Sequence, residues 1–274
     1  MSYKSILVNI DMDGPVAPIV KLAIDLARRS DARLIGFCAG DTPLPTMMGP
    51  EGSTIAVEVW QQLKNDIEQR LKAVHGEFDR LAAGSVEAEW REAVGSPTRS
   101  LVPVARLADL IVTGATQGAS TGDTYRVVDP GNLVLQAGRP VLVAASGVEH
   151  VLAKKAVIAW KDTREARRAV ADAVPLLLAA DQVVVATVDP EPDEWIRAGL
   201  EDVVAFLAKH GVKARSEVIA AKDDVGSLSE FVASFQADLV VSGAYGHSRI
   251  REWVFGGVTR SLLDETGLNR FMSS

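Results

Sequence analysis

The chain has 274 residues, 47% hydrophobic and 24% charged, which at about 150 residues per domain favours two modest globular domains over a disordered, collagen-like or coiled-coil protein. The formal charge of −7 is spread evenly, with 14 basic against 18 acidic residues up to residue 150 and 15 against 18 beyond it. Neither half is a basic module, so sequence-independent nucleic-acid binding is disfavoured.

In chain order, Ser5 to Ile10 reads as a first strand, followed by a helical pattern at Val16 to Arg29 and a second strand at Arg33 to Ala39. Cys38, the single cysteine, ends that strand. It leaves no intramolecular disulfide and no multi-thiolate metal site, and a buried apolar role is expected for it. Thr42 to Ser53 holds three prolines and two glycines and reads as a loop. A long amphipathic helix follows, with apolar positions Trp60, Leu63, Ile67, Leu71, Val74, Phe78 and Leu81 stepping by three or four. It is expected to pack on a sheet, the alternative being a stripe that binds a partner. Asp11 and Asp13 interrupt the N-terminal apolar stretch, and no uncharged apolar run approaches the roughly 20 residues that span a bilayer. A cytoplasmic protein is the expectation.

The octapeptide Ala108 to Ala115 (ADLIVTGA) recurs as Ala237 to Ala244 (ADLVVSGA), six of eight positions being identical. Each copy is a short β-rich run ended by glycine, as expected of a buried parallel strand. Val141 to Ala144 closes the first half as a fifth strand. Beyond the connector at Ser146 to Lys155 the plan restarts, with a strand at Ala156 to Trp160, a helix at Thr163 to Ala179 and a strand at Gln182 to Val188. The expected fold class is α/β, two tandem open parallel-sheet, Rossmann-like domains at 1–147 and 153–274. Ile6 to Ala108 spans 102 positions but Val157 to Ala237 only 80, and most of the excess is expected in the loop at Thr42 to Ser53. The segment at Leu268 to Ser274 looks too short for a full fifth strand, so an unpaired apolar edge is expected there.

In an open parallel sheet, ligands bind beyond the carboxyl ends of the strands. After the second octapeptide the chain reads GAYGHSRIREWVFGGVTR from Gly243 to Arg260. Glycines open and close it. Gly243 and Gly246 would let backbone approach an anion, and Gly256 and Gly257 would present bare amides at the next helix start. The alternative is that the glycines only turn the chain and that Arg249 and Arg251 are solvated charges. His247, inside the loop, suits a hydrogen bond to a phosphate or to the loop itself.

The spacing Gly243, two residues, Gly246, nine residues, Gly256 resembles the nucleotide loop of the universal stress protein family, Gly-x2-Gly-x9-Gly-(Ser/Thr), and the βαβα plan of both halves is similar to a tandem member. The resemblance implies a site for ATP, with magnesium as an optional companion. Gly243, Gly246, Gly256 and Gly257, the Val258 and Thr259 amides and the Thr259 hydroxyl would surround the phosphates, with Arg249 and His247 assisting. Lys161 and Val188, at the ends of the first two strands of that half, would complete the site. Two departures stand out. Gly257 occupies the place of the hydroxyl residue after the third glycine, and Lys161 stands where ATP-binding relatives carry an aspartate, a place that Asp11 fills in the first half. Lys161 would meet a phosphate or pair with a neighbouring carboxylate.

The first-half loop, Gly114 to Gly118, has one residue too many between its glycines. There Asp129 is expected to cap a helix with Pro130 at its first position, placing a carboxylate where a phosphate would sit. Gly118 to Gly122 matches a Gly-x-Ser-x-Gly elbow, with Asp129 and His150 following, but about eight residues rather than a direct strand-to-helix turn intervene. No P-loop, Gly-x-Gly-x-x-Gly or His-Glu-x-x-His run occurs. His75, His150 and His210 show no metal-ligand spacing, and no metal site is expected.

The resemblance thus implies a stress-response protein that binds an adenine nucleotide as a sensor or regulator acting through an unknown protein partner, with no catalytic residue identified. One alternative is a nucleotide-free interaction protein with a relic loop, and another is a slow ATP hydrolase. Family members pair through the fifth-strand edge, which implies internal pairing of the halves and leaves room for a homodimer.

Overall fold

The computed structural model describes residues 2–42, 49–114, 124–151, 153–244, 258, 261–262 and 265–274. The first half runs β1 (Ser5–Asn9), α1 (Val16–Ser30), β2 (Arg33–Gly40), α2 (Gly49–Ala82), β3 (Ala88–Val94), α3 (Pro97–Val104), a 3-10 turn (Ala105–Leu107), β4 (Leu110–Gly114), α4 (Pro130–Ala137) and β5 (Val141–Ala144). The second runs β6 (Lys155–Ala159), α5 (Arg164–Leu177), β7 (Gln182–Val188), α6 (Glu194–Lys209), β8 (Ala214–Ile219), α7 (Asp224–Phe235), β9 (Leu239–Gly243) and β10 (Asn269–Ser273). The fold is α/β with a mostly parallel sheet, as the sequence indicates.

All ten strands form one sheet in the order β3-β2-β1-β4-β5-β10-β9-β6-β7-β8. Only the β5–β10 seam is antiparallel. Read outward from that seam, each half has the same winding, so a pseudo-twofold relates them. The central strands are apolar and buried along their length, as a sheet covered on both faces requires. Alternate side chains divide between two cores. Ile6 and Val8 face a layer made by α1, α2, α5 and α6, and Leu7 faces the layer of α3, α4 and α7. The outer strands β3 and β8 carry Glu89, Arg91, Arg215 and Glu217, charges that blunt the two free edges.

The aspartate of each repeated octapeptide has a structural task. Asp109 Oδ2 accepts from the Lys4 and Ser5 amides at 2.8 and 3.1 Å. Asp238 accepts from those of Lys154 and Lys155 at 2.9 and 3.2 Å. Each carboxylate therefore pins the start of the first strand of its half beside the fourth.

Two expectations are corrected. The last residues form a full five-residue strand, β10, parallel to β9 and antiparallel to β5, because Phe271 and Met272 bury completely between the halves. The apolar edge that left room for a homodimer is therefore paired inside the chain. The extra length of the first half lies mainly in a helix: α2 has 34 residues where α6 has 16, and it begins at Gly49, inside the stretch expected to be loop. Ile67, Leu71, Val74 and Phe78 of α2 are buried, so their stripe is core.

The seam is tied by polar groups as well. Tyr3 donates its hydroxyl to the Asp172 carbonyl at 2.7 Å, and Ser273 donates to the Asp172 carboxylate at 2.8 Å. Arg270, fully buried, donates to the carbonyls of Leu262 at 3.0 Å and of Glu265. Among the described residues no helix is long and apolar enough to cross a membrane.

Candidate functional site

The strand order reverses between β1 and β4 in the first half and between β6 and β9 in the second, and these two crevices are where an open parallel sheet receives ligands. Their walls differ.

In the first half the crevice is filled by the chain itself. The Tyr125 carbonyl accepts from the Asp41 amide at 2.7 Å, just beyond β2. Arg126 pairs with Asp13 at 3.2 Å, and the Val128 backbone donates to Asp11. Asp129 caps α4, its carboxylate accepting from the Gly131 and Asn132 amides at 2.9 and 3.2 Å, with Pro130 at the first helical position. The helix N-terminus that could hold an anion already holds a carboxylate. Beneath this segment, Asn9 donates to both Thr113 Oγ1 and Asp11 Oδ1 at 3.1 Å. Burial is the main cause that raises the Asp11 carboxyl to about 6, against the bonds from Asn9 and Val128 that lower it.

In the second half, Lys161, Val188, Gly243 and Val258 lie among the described residues, whereas Gly246, His247, Arg249, Gly256, Gly257 and Thr259 lie outside them. Gly243 ends β9 and Lys161 follows β6, on the two sides of the crevice. A Cβ on Gly243 would stand 2.5 Å from the Ala166 amide nitrogen, so the missing side chain there makes room for the first turn of α5. Gly243 thus has a packing reason to be bare, alongside the anion contact expected of it. The Ala166 amide is itself held by the Thr163 side chain at 3.2 Å. Lys161 Nζ lies 3.7 Å from the Asp224 carboxylate, and both side chains are largely exposed. Val188, at the end of β7, is half-buried, and Val258 is helical and packs against the core under α3, α4 and α7.

Sequence reading missed Ser242. Its hydroxyl is buried with no hydrogen-bond partner among the described residues. The counterpart hydroxyl, Thr113, is satisfied by Asn9, but Ala159 sits opposite Ser242 in the β6–β9 register and offers nothing. The signal was available in the octapeptide alignment, once strand register tells which residue faces the hydroxyl. A buried unpaired hydroxyl is costly, and this one sits one residue before the glycine at the crevice.

Other candidates are accounted for. His150 Nδ1 lies 3.7 Å from Asp25 and Asp129 is engaged in capping, and the Gly-x-Ser-x-Gly run falls outside the described residues. Burial pushes the Cys38 thiol up to about 12, which makes it unreactive. His75 stacks on Trp90 at 4.8 Å and His210 packs on Phe206 at 4.5 Å. Among the described residues no group of three or more His, Cys, Asp or Glu could hold a metal ion.

Fold and crevices define a doubly wound α/β protein of two like halves sharing one sheet. Residues 2–128 match the model of the Universal stress protein family, so the first half is similar to that family's domain. Among solved structures, a universal stress protein from Archaeoglobus fulgidus DSM 4304 is similar at 11% identity, with 98% of this chain and 96% of that chain covered and a TM-score of 0.69. A functionally unknown protein from Pseudomonas aeruginosa PAO1 is similar at 16% identity, over 98% and 92%, with a TM-score of 0.60. At these identities the likeness is one of fold, and it extends over both halves. No curated protein matches the chain.

Proposed function

We propose that this chain is a tandem universal stress protein, with domains at 1–147 and 153–274, whose second half binds ATP and whose first half does not. The nucleotide serves as a signal read by a protein partner rather than as a substrate for rapid turnover. The observation that carries the reading is that the glycine-spaced loop leaves the sheet at Gly243, at the crevice between β6 and β9. The corresponding first-half crevice is closed by residues 125–129. The orphaned Ser242 hydroxyl supports it, since a buried donor beside that crevice fits a polar ligand atom.

In this reading Gly246, Gly256, Gly257 and the amides of Val258 and Thr259 hold the phosphates, with Arg249, His247 and the Thr259 hydroxyl beside them. Magnesium neutralises phosphate charge if it accompanies the nucleotide. Lys161 leaves its exposed pairing with Asp224 for a phosphate at little cost, because such pairs contribute about 0–1 kcal/mol.

A second reading, a nucleotide-free interaction protein with a relic loop, is favoured by the same Lys161–Asp224 pair and by the packing role of Gly243. The experiment that separates the two is denaturation of the purified protein with mass identification of any released nucleotide, followed by ATP titration of the emptied protein. Near-equimolar ATP, or tight rebinding lost in both Gly246→Val and Gly256→Val with the fold intact, is expected. Absence of nucleotide and of rebinding leaves the interaction protein. A homodimer, if formed, must use surfaces other than the β5–β10 seam, and light scattering reports it.

A further inference from the structure

The helix layer of the second half contains a groove between α5 and α6. The helices α1 and α2 pack against each other, whereas α5 and α6 barely touch. Between them lies a cavity of about 440 Å³, within the range of small-molecule sites. Its walls include Trp160, Trp195, Phe206, Val170, Val203 and Asp202. Trp195 is 78% exposed and Phe206 39%. Large aromatic surface left in water beside a concave apolar floor is the pattern of a binding site.

The charges in the groove do not cancel. Arg167 donates from Nε and from a terminal nitrogen to the Asp162 carboxylate, at 2.9 and 2.7 Å, and is neutralised there. Asp202, an exposed side chain, has no ion pair or hydrogen bond among the described residues. The cavity therefore presents one uncompensated carboxylate together with three aromatic rings, whose π faces attract cations. A phosphate or carboxylate ligand is disfavoured by the same charge.

We propose that this groove is a binding site for a planar aromatic cation, its ring system lying among Trp160, Trp195 and Phe206 and its positive charge facing Asp202. The groove lies between α5 and α6 and does not include the loop after β9, although Trp160 and Asp162 in its wall flank Lys161. Gly199, which lines the groove, has open space among the described residues where a Cβ would point. A larger residue there fills the groove without collision and suits a helix better than glycine.

The test is calorimetric titration of the full chain with N-methylquinolinium, and with 2-naphthoate as an anion of similar size. One-site binding of the cation at least tenfold tighter than the anion is expected. Asp202→Asn should weaken the cation about five- to tenfold and leave the anion unchanged or improved. Gly199→Leu should abolish binding of the cation with the circular dichroism and melting of the protein retained. Equal affinity for the two probes, no binding of the cation at millimolar concentration, or cation affinity indifferent to both substitutions overturns the proposal.

Discussion

The main chain of Gly243 lies against that of Ala166 so closely that an added Cβ would stand 2.5 Å from the Ala166 nitrogen and 2.9 Å from its Cα. At the equivalent repeat position, a Cβ on Gly114 meets nothing within 4 Å among the described residues. Two glycines in near-identical octapeptides thus carry unequal constraints. Gly243→Ala must displace the first turn of α5 and is expected to cost about 1–3 kcal/mol, as overpacking does. Gly114→Ala should stay within about 0.5 kcal/mol of the parent. Urea unfolding of the two variants checks this, and equal losses would contradict it.

Asp11 gives the protein a pH dependence of its own. Its carboxyl has a folded-state value of about 6 against 3.8 ordinarily, so between these values the folded chain binds more protons than the unfolded chain. The Asp11 contribution to stability is therefore most favourable below about pH 4, declines as pH rises through that window, and stays lost above about 6. Asp11→Asn is expected to flatten this decline and to stabilise the protein at pH 7 by up to about 3 kcal/mol. Melting temperatures of parent and variant at pH 5 and 7 should converge at the lower pH.

Asp129 is a structural cap. Asp129→Ala removes the acceptor for the Gly131 and Asn132 amides and should cost about 1 kcal/mol, while Asp129→Asn should retain most of it. Because the freed helix N-terminus becomes an anion site, Asp129→Ala should also gain weak sulfate-dependent stabilisation, measurable as a rise in melting temperature that Asp129→Asn does not share.

Arg270 ties the end of the second-half loop segment to the seam through the carbonyls of Leu262 and Glu265. Burial lowers its guanidinium to about 10, which leaves it charged at neutral pH. Arg270→Met should cost about 1–3 kcal/mol through unmet carbonyls. Amide hydrogen exchange should accelerate at residues 265–268 more than in β1 or β2, an asymmetry that a general loss of stability would not produce.

Much of the architecture was legible because buried parallel strands advertise themselves. β7 has the expected bounds, Gln182 to Val188, and α1 exceeds its expected end at Arg29 by one residue. β10 escaped because NRFMS is short and contains an arginine, which reads as surface until the Leu262 and Glu265 carbonyls are seen to receive it. The start of α2 escaped because Gly49, Pro50 and Gly52 argue for a loop, and helical continuity with the strong stripe further on overrode local propensity. At the site, the Asp129 cap followed from its neighbours Pro130 and Gly131. The partner of Lys161, at the start of α7, and the isolation of Ser242, opposite Ala159 in β6, depend on which segments the sheet brings together, which spacing does not encode.

The octapeptide, the apolar periodicity and the caps are local properties, and they sufficed to determine a doubled α/β chain, because secondary structure and strand burial follow from residues within one or two turns of each other. Which crevice is closed by residues 125–129, how β10 joins the halves into one sheet, and that α5 and α6 stand apart to leave an aromatic groove are relations between segments far apart in the chain. They were decided only when the sheet brought those segments within contact distance.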